Sequence, residues 1–491
     1  MPPSPAYRAS TSHQDLGPDF YDIVAPACFP QHILRYRNQC WAARTGLETL
    51  TDEEWIRHFG QFEPLAGSFE KPLALRYHGH QFRTYNPYLG DGRGFLFAQV
   101  YDTQDGRLLD LGTKGSGQTP WSRHADGRLT LKGGIREILA TGMLEALGVD
   151  TSKSFSLIET GEELERSDEP SPTRSSVLVR LSHSHIRIGT FQRFRYLDET
   201  RNISKLLDYT IRTYMPDIWR ESEPERAAAF LEEVSRRVAG MGAQWMAAGF
   251  VHGVLNTDNI NVTGESFDYG PWRFLPVYEP GFTAAYFDET GLYAFGRQPD
   301  ALLWNLFRLG ECLLPLAGQS ELEASLATFE PTLHREFATA LLRRLGLKPK
   351  DAERNGELAS ALWTFLLQTK APFEQTFFDW YGGRLSQERA QRSPSSALYE
   401  HDAFKPVRQA IDDFEPIDAL NLDHPYFARD CPCTMLIDDV EALWEPIATG
   451  DDWSAFLAKL QDIAMLAEAY GTSGGGPNGG ADSTGEFPVE T

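Results

Sequence analysis

The spacing of apolar residues changes character near residue 200, and that change limits the folds open to the chain. Before it lie short apolar runs closed by turns. FLFAQVYDTQDGRLLDLGTKG (95–115) reads as a strand, a turn at Gln104-Asp105-Gly106 and a second strand ending near Lys114. An Asp-Gly pair suits a tight hairpin because both residues tolerate positive φ. SVLVRLS (176–182) reads as another strand. Between them, 129–149 places Ile135, Ile138, Leu139, Met143 and Leu147 at helical spacing, with Gly148 near the stop. After residue 200 the pattern is helical over 201–250 and 299–345. Strands first and helices afterwards predict an α+β chain whose two parts form separate lobes with a cleft between them.

The remaining segments fit around that plan. Residues 1–75 read as mixed helix and loop, with Thr51 and Glu54 spaced as a capping box. Residues 160–175, TGEELERSDEPSPTRS, read as a charged surface excursion. The expected divisions are an N-terminal extension (1–75), a β-rich small lobe (76–198), a helical large lobe (199–390), a C-terminal helical segment (391–470) and a disordered Gly/Ser/Asp-rich tail (471–491).

Charge and length narrow the function classes. The 491 residues carry 46 Lys and Arg against 69 Asp and Glu, a net charge of −23. Binding bare nucleic acid needs a basic surface, so this balance argues against it. No apolar run approaches the roughly 20 residues of a membrane span. MPPSPAYRASTSHQ lacks the basic and apolar regions of a signal peptide. Five cysteines, an odd number and mostly far apart, suit a reducing compartment. The expectation is a cytoplasmic monomer that meets neither membrane nor nucleic acid.

Four segments carry candidate chemistry. Leu89-Gly90-Asp91-Gly92-Arg93-Gly94 precedes a strand, where glycines let backbone amides approach a phosphate and Arg93 adds charge; a plain Gly-rich turn is the bland alternative. Lys114 ends a strand at Lys114-Gly115-Ser116-Gly117. A strand lysine needs an acid to hold it, and Glu137 in the next helix is the obvious partner. Val179 to Thr190 sets Arg180 and Arg187 among apolar residues, with Ser182 and Ser184 between them. Arginine is rarely buried unpaired, so these mark an anion site. His183 and His185 lack a third residue at metal-site spacing.

The fourth segment is Gly249-Phe250-Val251-His252-Gly253-Val254-Leu255-Asn256-Thr257-Asp258-Asn259-Ile260. Against the protein-kinase catalytic loop His-Arg-Asp-Leu-x-x-x-Asn, His252, Leu255 and Asn259 fall in register. Gly253 replaces the Arg, and Val254 stands where the base belongs. Nine residues after Asn259 comes Asp268-Tyr269-Gly270, which fits the metal-binding Asp-Phe-Gly signature. The metal ligands Asn259 and Asp268 are therefore present without the usual base, and an acid, Asp258, sits beside the Asn. The ordered set of Gly-rich turn, strand Lys, helix Glu, loop Asn and Asp-Tyr-Gly predicts a protein-kinase-like two-lobed nucleotide fold.

At these residues the chain resembles the selenoprotein O family, which has a pseudokinase fold. The matching segments are YHGHQFRTYNPYLGDGRG, KGSGQTPWSRHADGR, GIREIL, SHSHIRIGTF and GFVHGVLNTDNINVTGESFDYGPWRFL, between about Tyr77 and Leu275. The resemblance implies a protein adenylyltransferase that moves AMP from ATP to Ser, Thr or Tyr hydroxyls of proteins with Mg²⁺ or Mn²⁺, ATP being reversed relative to a kinase. It implies that Gly90, Gly92, Arg93, Lys114, Asp126, Gly127, Arg180 and Arg187 hold ATP. Asn259 and Asp268 hold the metal, and Asp258 accepts the proton. Three departures stand out: Arg83 and Ala125 each replace a family Gly, and Gly133-Gly134 replaces a Ser pair. Relatives often carry Cys or selenocysteine very near the C-terminus. Here Cys431-Pro432-Cys433 is followed by 491 − 433 = 58 residues, and the two thiols are read as unrelated.

Physically the reversed nucleotide is reasonable, because Lys114, Arg180 and Arg187 offer a cationic pocket to the most charged, terminal phosphate. Two other functions stay open at this point: a phosphotransferase that recruits Asp258 as base, and a nucleotide-binding module without catalysis, suggested by Val254.

Overall fold

The structure, a computed structural model, describes residues 4–167 and 169–472. The expected tail lies almost wholly in 473–491, outside the described residues. The fold is α+β, an antiparallel sheet followed by a large helical assembly.

Seven strands make the main path of the sheet: β1 (Tyr21–Ile23), β2 (Ile33–Arg37), β3 (Leu73–Leu75), β4 (Leu96–Tyr101), β5 (Leu108–Lys114), β6 (Lys153–Leu164) and β7 (Thr173–Ser182). Their order is β1-β3-β4-β5-β7-β6-β2. Short strands Ala9–Ser10 and Leu129–Thr130 pair with β4 and β7. The β4–β5 hairpin forms about the Asp105-Gly106 turn, with Gly106 at φ +74°.

Two features depart from the sequence reading. Residues before 76, read as helix and loop, supply four strands to this sheet. The excursion at 160–175 shrinks to a loop between Leu164 and Thr173. β6 escaped notice because its apolar run is broken by buried serines that bond inward. Ser156 accepts the Trp55 indole N–H at 2.9 Å, and Ser154 bonds the Thr141 hydroxyl at 2.9 Å.

The period-two alternation of strands sorts the side chains onto two faces. Leu109 and Leu111 of β5 and Val177, Val179 and Leu181 of β7 pack against helices α1 (Gln39–Thr45) and α2 (Asp52–Phe59) through Trp41, Trp55 and Phe59. The Thr51–Glu54 capping box starts α2 as expected. The opposite face receives α3 (Leu131–Ala146), on which Ile135, Ile138, Leu139 and Met143 are buried. In register, Lys114 lies opposite Leu178 and Gly112 opposite Arg180. Lys114 and Arg180 therefore share the α3 face, diagonal neighbours one strand apart.

The helical assembly runs through α4 (Ile188–Tyr196), α5 (Thr200–Tyr214), α6 (Glu223–Ala248), α7 (Gln298–Leu313), α8 (Gln319–Leu326), α9 (Phe329–Arg344) and α10 (Ala352–Thr369). α6 is its buried axis, with Phe230, Leu231, Val234, Val238 and Trp245 inside. Gly249 ends it at φ +64°, and a Cβ there would meet the Phe373 ring at 2.7 Å. Both the left-handed cap and that close approach require glycine. The chain leaves this cap directly into the 250–259 segment.

The C-terminal helix Ser454–Ala469 returns to pack on α3. An ion network ties this segment to the sheet. Glu159 of β6 accepts from Arg35 at 2.7 Å and from Arg174 at 2.6 and 2.7 Å, and Asp451 takes both arginines at 3.1 and 2.6 Å. Burial alone would raise the Glu159 pKa, but Arg174 and Arg35 outweigh it and hold it below the usual value. A depressed carboxylate stabilises the fold above its unfolded pKa, and the contribution is lost as pH falls through the folded one. Glu159→Gln should cost about 1–3 kcal/mol at pH 7. In chemical denaturation, the gap from wild type should close below about pH 4. A wild-type midpoint for the variant at pH 7 would remove this network from the account.

Candidate active site

The ion pair expected between Lys114 and Glu137 is present, strand lysine to helix glutamate, both buried. The same ammonium reaches Asp268 at 3.3 Å. Arg180 meets the same Asp268 oxygen at 3.0 Å, and Arg187 lies 3.6 Å from the other. Strand β7 supplies Arg180, the turn after it supplies Arg187, and Asp268 closes the cluster from the chain beyond the 250–259 loop. Asp268 has φ +64°, a conformation Asp tolerates better than most residues. Burial would raise its pKa, but Lys114, Arg180, Arg187 and Arg93 together hold it well below the carboxylate range. Three cations thus meet at one carboxylate with Arg93 near by, while Glu137 and Asp91 hold Lys114 and Arg187 from the other side.

Arg187 is the best-seated of the cations. Its guanidinium lies 4.3 Å from the Tyr77 ring centre and 4.9 Å from that of Phe267. It donates to the Asp258 carbonyl at 3.1 Å and meets Asp91 at 3.4 Å. Asp91 is fixed in turn by the Leu75 amide at 3.0 Å. Sequence reading missed Asp91, Tyr77 and Phe267. A buried arginine demanded a counter-charge, but several acids lay within the motifs, and spacing along the chain did not choose among them.

The 250–259 loop is fastened from several sides. His252 accepts the Val254 amide at 3.3 Å, and its other ring nitrogen lies 3.3 Å from the Phe267 carbonyl. Burial pushes its pKa down to about 4, so the ring is a neutral strut at pH 7. Asn259 donates its amide to the Val254 carbonyl at 3.0 Å, which leaves its carbonyl oxygen for another partner. Asp258 is 7% exposed, and its Oδ1 has no hydrogen-bond partner among the described residues. Burial pushes this carboxyl up to about 6 against the pull of Arg187, with Asp268 adding to the rise.

A small hairpin, Gly79–Gln81 with Thr84–Asn86, lies over this loop. The His80 amide donates to Thr257 Oγ1 at 2.7 Å and the Phe82 amide to Asn256 Oδ1 at 3.0 Å. A Cβ at residue 79 would come within 2.9 Å of Asp258 Oδ1, so glycine is what lets the hairpin close on the acid.

The Gly-rich turn has a different neighbour. A Cβ on Gly90 would meet the Trp121 ring at 2.4 Å, and one on Gly92 the Trp121 carbonyl at 2.9 Å. These glycines are needed for packing against the 119–122 segment, whose Thr119 and Ser122 hydroxyls donate to the carbonyls of Asp91 and Gly92. Arg93 accepts the Gly115 amide at 2.6 Å, which joins this turn to the strand end carrying Lys114. Arg93, Asp126 and Gly127 line an open cavity of about 380 Å³ together with Ala125, Arg128 and Arg166. Gly127 has φ +71° and lies against Gly117. The structure therefore gathers Lys114, Arg180, Arg187, Asp258 and Asp268 in one cluster and places Arg93, Asp126 and Gly127 around the adjoining cavity. A larger cavity of about 910 Å³ lies at the far end of β5, past Leu108, and holds none of these residues.

A family described as "Protein adenylyltransferase SelO" matches residues 6–464. The chain belongs to the SelO family. Among its relatives, "Protein nucleotidyltransferase YdiU" of Trichormus variabilis is 44% identical over 469 residues, 92% of this chain and 94% of that protein. The protein of the same name in Gloeobacter violaceus is 45% identical over 453 residues, covering 90% and 92%. The SelO match takes in the N-terminal strands and reaches into the C-terminal helix that packs on α3, beyond the motif-bearing 77–275. Among the described residues no helix is long and apolar enough to cross a membrane.

Proposed function

We propose that this chain performs the activity its family is named for, moving AMP from ATP to Ser, Thr or Tyr hydroxyls of other proteins. The observation that carries this reading is the convergence of Lys114, Arg180, Arg187 and Arg93 on Asp268, next to a buried acid, Asp258, on a loop whose Val254 has no proton-accepting group. In this reading the fold is kinase-like and two-lobed, with 76–198 and the four sheet strands before residue 76 as small lobe and 199–390 as large lobe. The protein works as a cytoplasmic monomer.

ATP lies reversed, its β- and γ-phosphates among Lys114, Arg180 and Arg187, with Arg93, Asp126 and Gly127 beside it. Asp258 takes the proton from the acceptor hydroxyl, and that oxygen forms a bond to the α-phosphorus. The bond from the α-phosphorus to its bridging oxygen breaks, and pyrophosphate leaves into the cations. Charge on the departing phosphates is met by groups already in place, the usual source of rate in such transfers.

The donors present suit a hard divalent ion. The Asn259 carbonyl oxygen and the Asp268 carboxylate are two oxygen ligands, and Mg²⁺ commonly takes one or two protein oxygens and completes its shell with phosphates. Mg²⁺ or Mn²⁺ held there supplies Lewis-acid stabilisation of phosphate charge.

Lys114→Ala should weaken ATP binding by about 10–100-fold, the worth of one charge-assisted contact, with the circular dichroism spectrum retained. Isothermal titration checks this, and unchanged affinity would remove Lys114 from the phosphate site. For the activity itself, the intact mass of an acceptor protein incubated with enzyme, ATP and Mg²⁺ should rise by one AMP residue. A rise by one phosphate would favour a phosphotransferase using Asp258, and no change alongside ATP binding would favour a module without catalysis.

A further inference from the structure

The hairpin over Asp258 carries an aromatic ledge that the chemistry above does not use. Its turn residues Phe82 and Arg83 both have positive φ, +48° and +64°. Two consecutive non-glycine residues in that region cost roughly 1–2 kcal/mol each, so the surroundings hold the turn in place. Phe82 packs 5.1 Å from the Tyr293 ring and 5.9 Å from Phe287, and Phe287 lies 5.2 Å from Tyr286. The Arg83 guanidinium sits 5.5 Å from the Trp304 ring. Tyr286 is 85% exposed, Phe287 47% and Phe82 37%. Three large side chains linked through Phe287 at the surface form a contiguous apolar patch, and such patches mark interaction sites.

The ledge is joined to the catalytic loop. Asn256 Oδ1 accepts both the Phe82 amide at 3.0 Å and the Tyr293 hydroxyl at 2.8 Å, two residues before Asp258. Phe82 and its neighbour Tyr293 are therefore anchored on the same loop as the acid that must receive a hydroxyl proton.

We propose that Phe82, Tyr286 and Phe287 form the docking surface for the acceptor polypeptide, gripping a bulky apolar side chain next to the hydroxyl that is modified. This rests on the transfer reading above and adds a sequence preference to it. The occupant is an acceptor segment because the ledge is continuous with the proton-accepting loop, and a hydroxyl on a protein must be brought to that loop. Arg83, stacked on Trp304, is left to meet a polar or acidic group at the rim.

The test uses the full-length enzyme with ATP labelled at the α-phosphate and peptide mixtures fixed at a central Ser, Thr or Tyr. One mixture carries Leu or Phe on either side of that residue, and the other carries Gly or Ser. Wild type should favour the apolar mixture by about 10-fold in kcat/KM, the worth of one buried apolar side chain. In the double variant Tyr286→Ser, Phe287→Ser the preference should vanish through KM, with ATP affinity as in wild type. Both side chains are surface groups, so a folding defect is not expected, and a melting curve verifies it. Equal labelling of both mixtures by wild type, or a preference that survives in the variant, overturns the ledge and leaves AMP transfer standing. No label on either mixture with wild type strikes at the transfer reading itself and takes the ledge with it.

Discussion

Asp268→Ala should lower AMP transfer by about 10³-fold or more and abolish metal-dependent ATP binding in the same step. Asp268 has two tasks. It is the acid that Lys114, Arg180 and Arg187 share, and it is one of two oxygen donors proposed for the metal. Its loss removes both at once. Lys114 keeps Glu137 and Arg187 keeps Asp91, whereas Asp268 is the one acid paired with Arg180 among the described residues. Asp268→Asn keeps the shape of the site while removing the charge, so it separates the metal role from simple collapse. Titration of ATP with and without Mg²⁺, alongside turnover, checks the prediction. Full activity in either variant would refute the assignment.

The second large effect belongs to Asp258. A positioned general base typically contributes about 10²–10⁴-fold, and Asp258→Ala should slow transfer by that amount while ATP still binds. The support is local: Asp258 Oδ1 is buried without a hydrogen-bond partner among the described residues, and the Val254 side chain offers no proton acceptor. If Asp258 only shapes the loop, the loss in rate will be small, and Asp258→Asn, which keeps the shape, will be close to wild type.

Much of this site was readable from residue order. The Lys114–Glu137 pair followed from a strand lysine and a helix acid. Asp268 followed from spacing to His252, and Arg180 and Arg187 from charge in an apolar setting. Local signals of this kind survive folding because each is set by one element's periodicity. What escaped was set by packing between distant segments. Asp91 is 187 − 91 = 96 residues from the arginine it meets, and Trp121 explains Gly90 and Gly92 only once the 119–122 segment is placed over them. In the fold, the β4–β5 hairpin and α3 were legible through turn chemistry and helical spacing. β6 was hidden by buried serines, and the N-terminal strands were hidden by their shortness, two to five residues each, too few for periodicity to register.

The central claim is that AMP, and not phosphate, leaves ATP for a protein hydroxyl. Parallel reactions with α-labelled and γ-labelled ATP, Mg²⁺ or Mn²⁺ and a protein acceptor decide it. Protein-bound label should come from the α position, be absent from the γ position, and fall with Asp258→Ala and Asp268→Ala. Protein-bound label arriving from the γ position would contradict the account and identify a phosphotransferase.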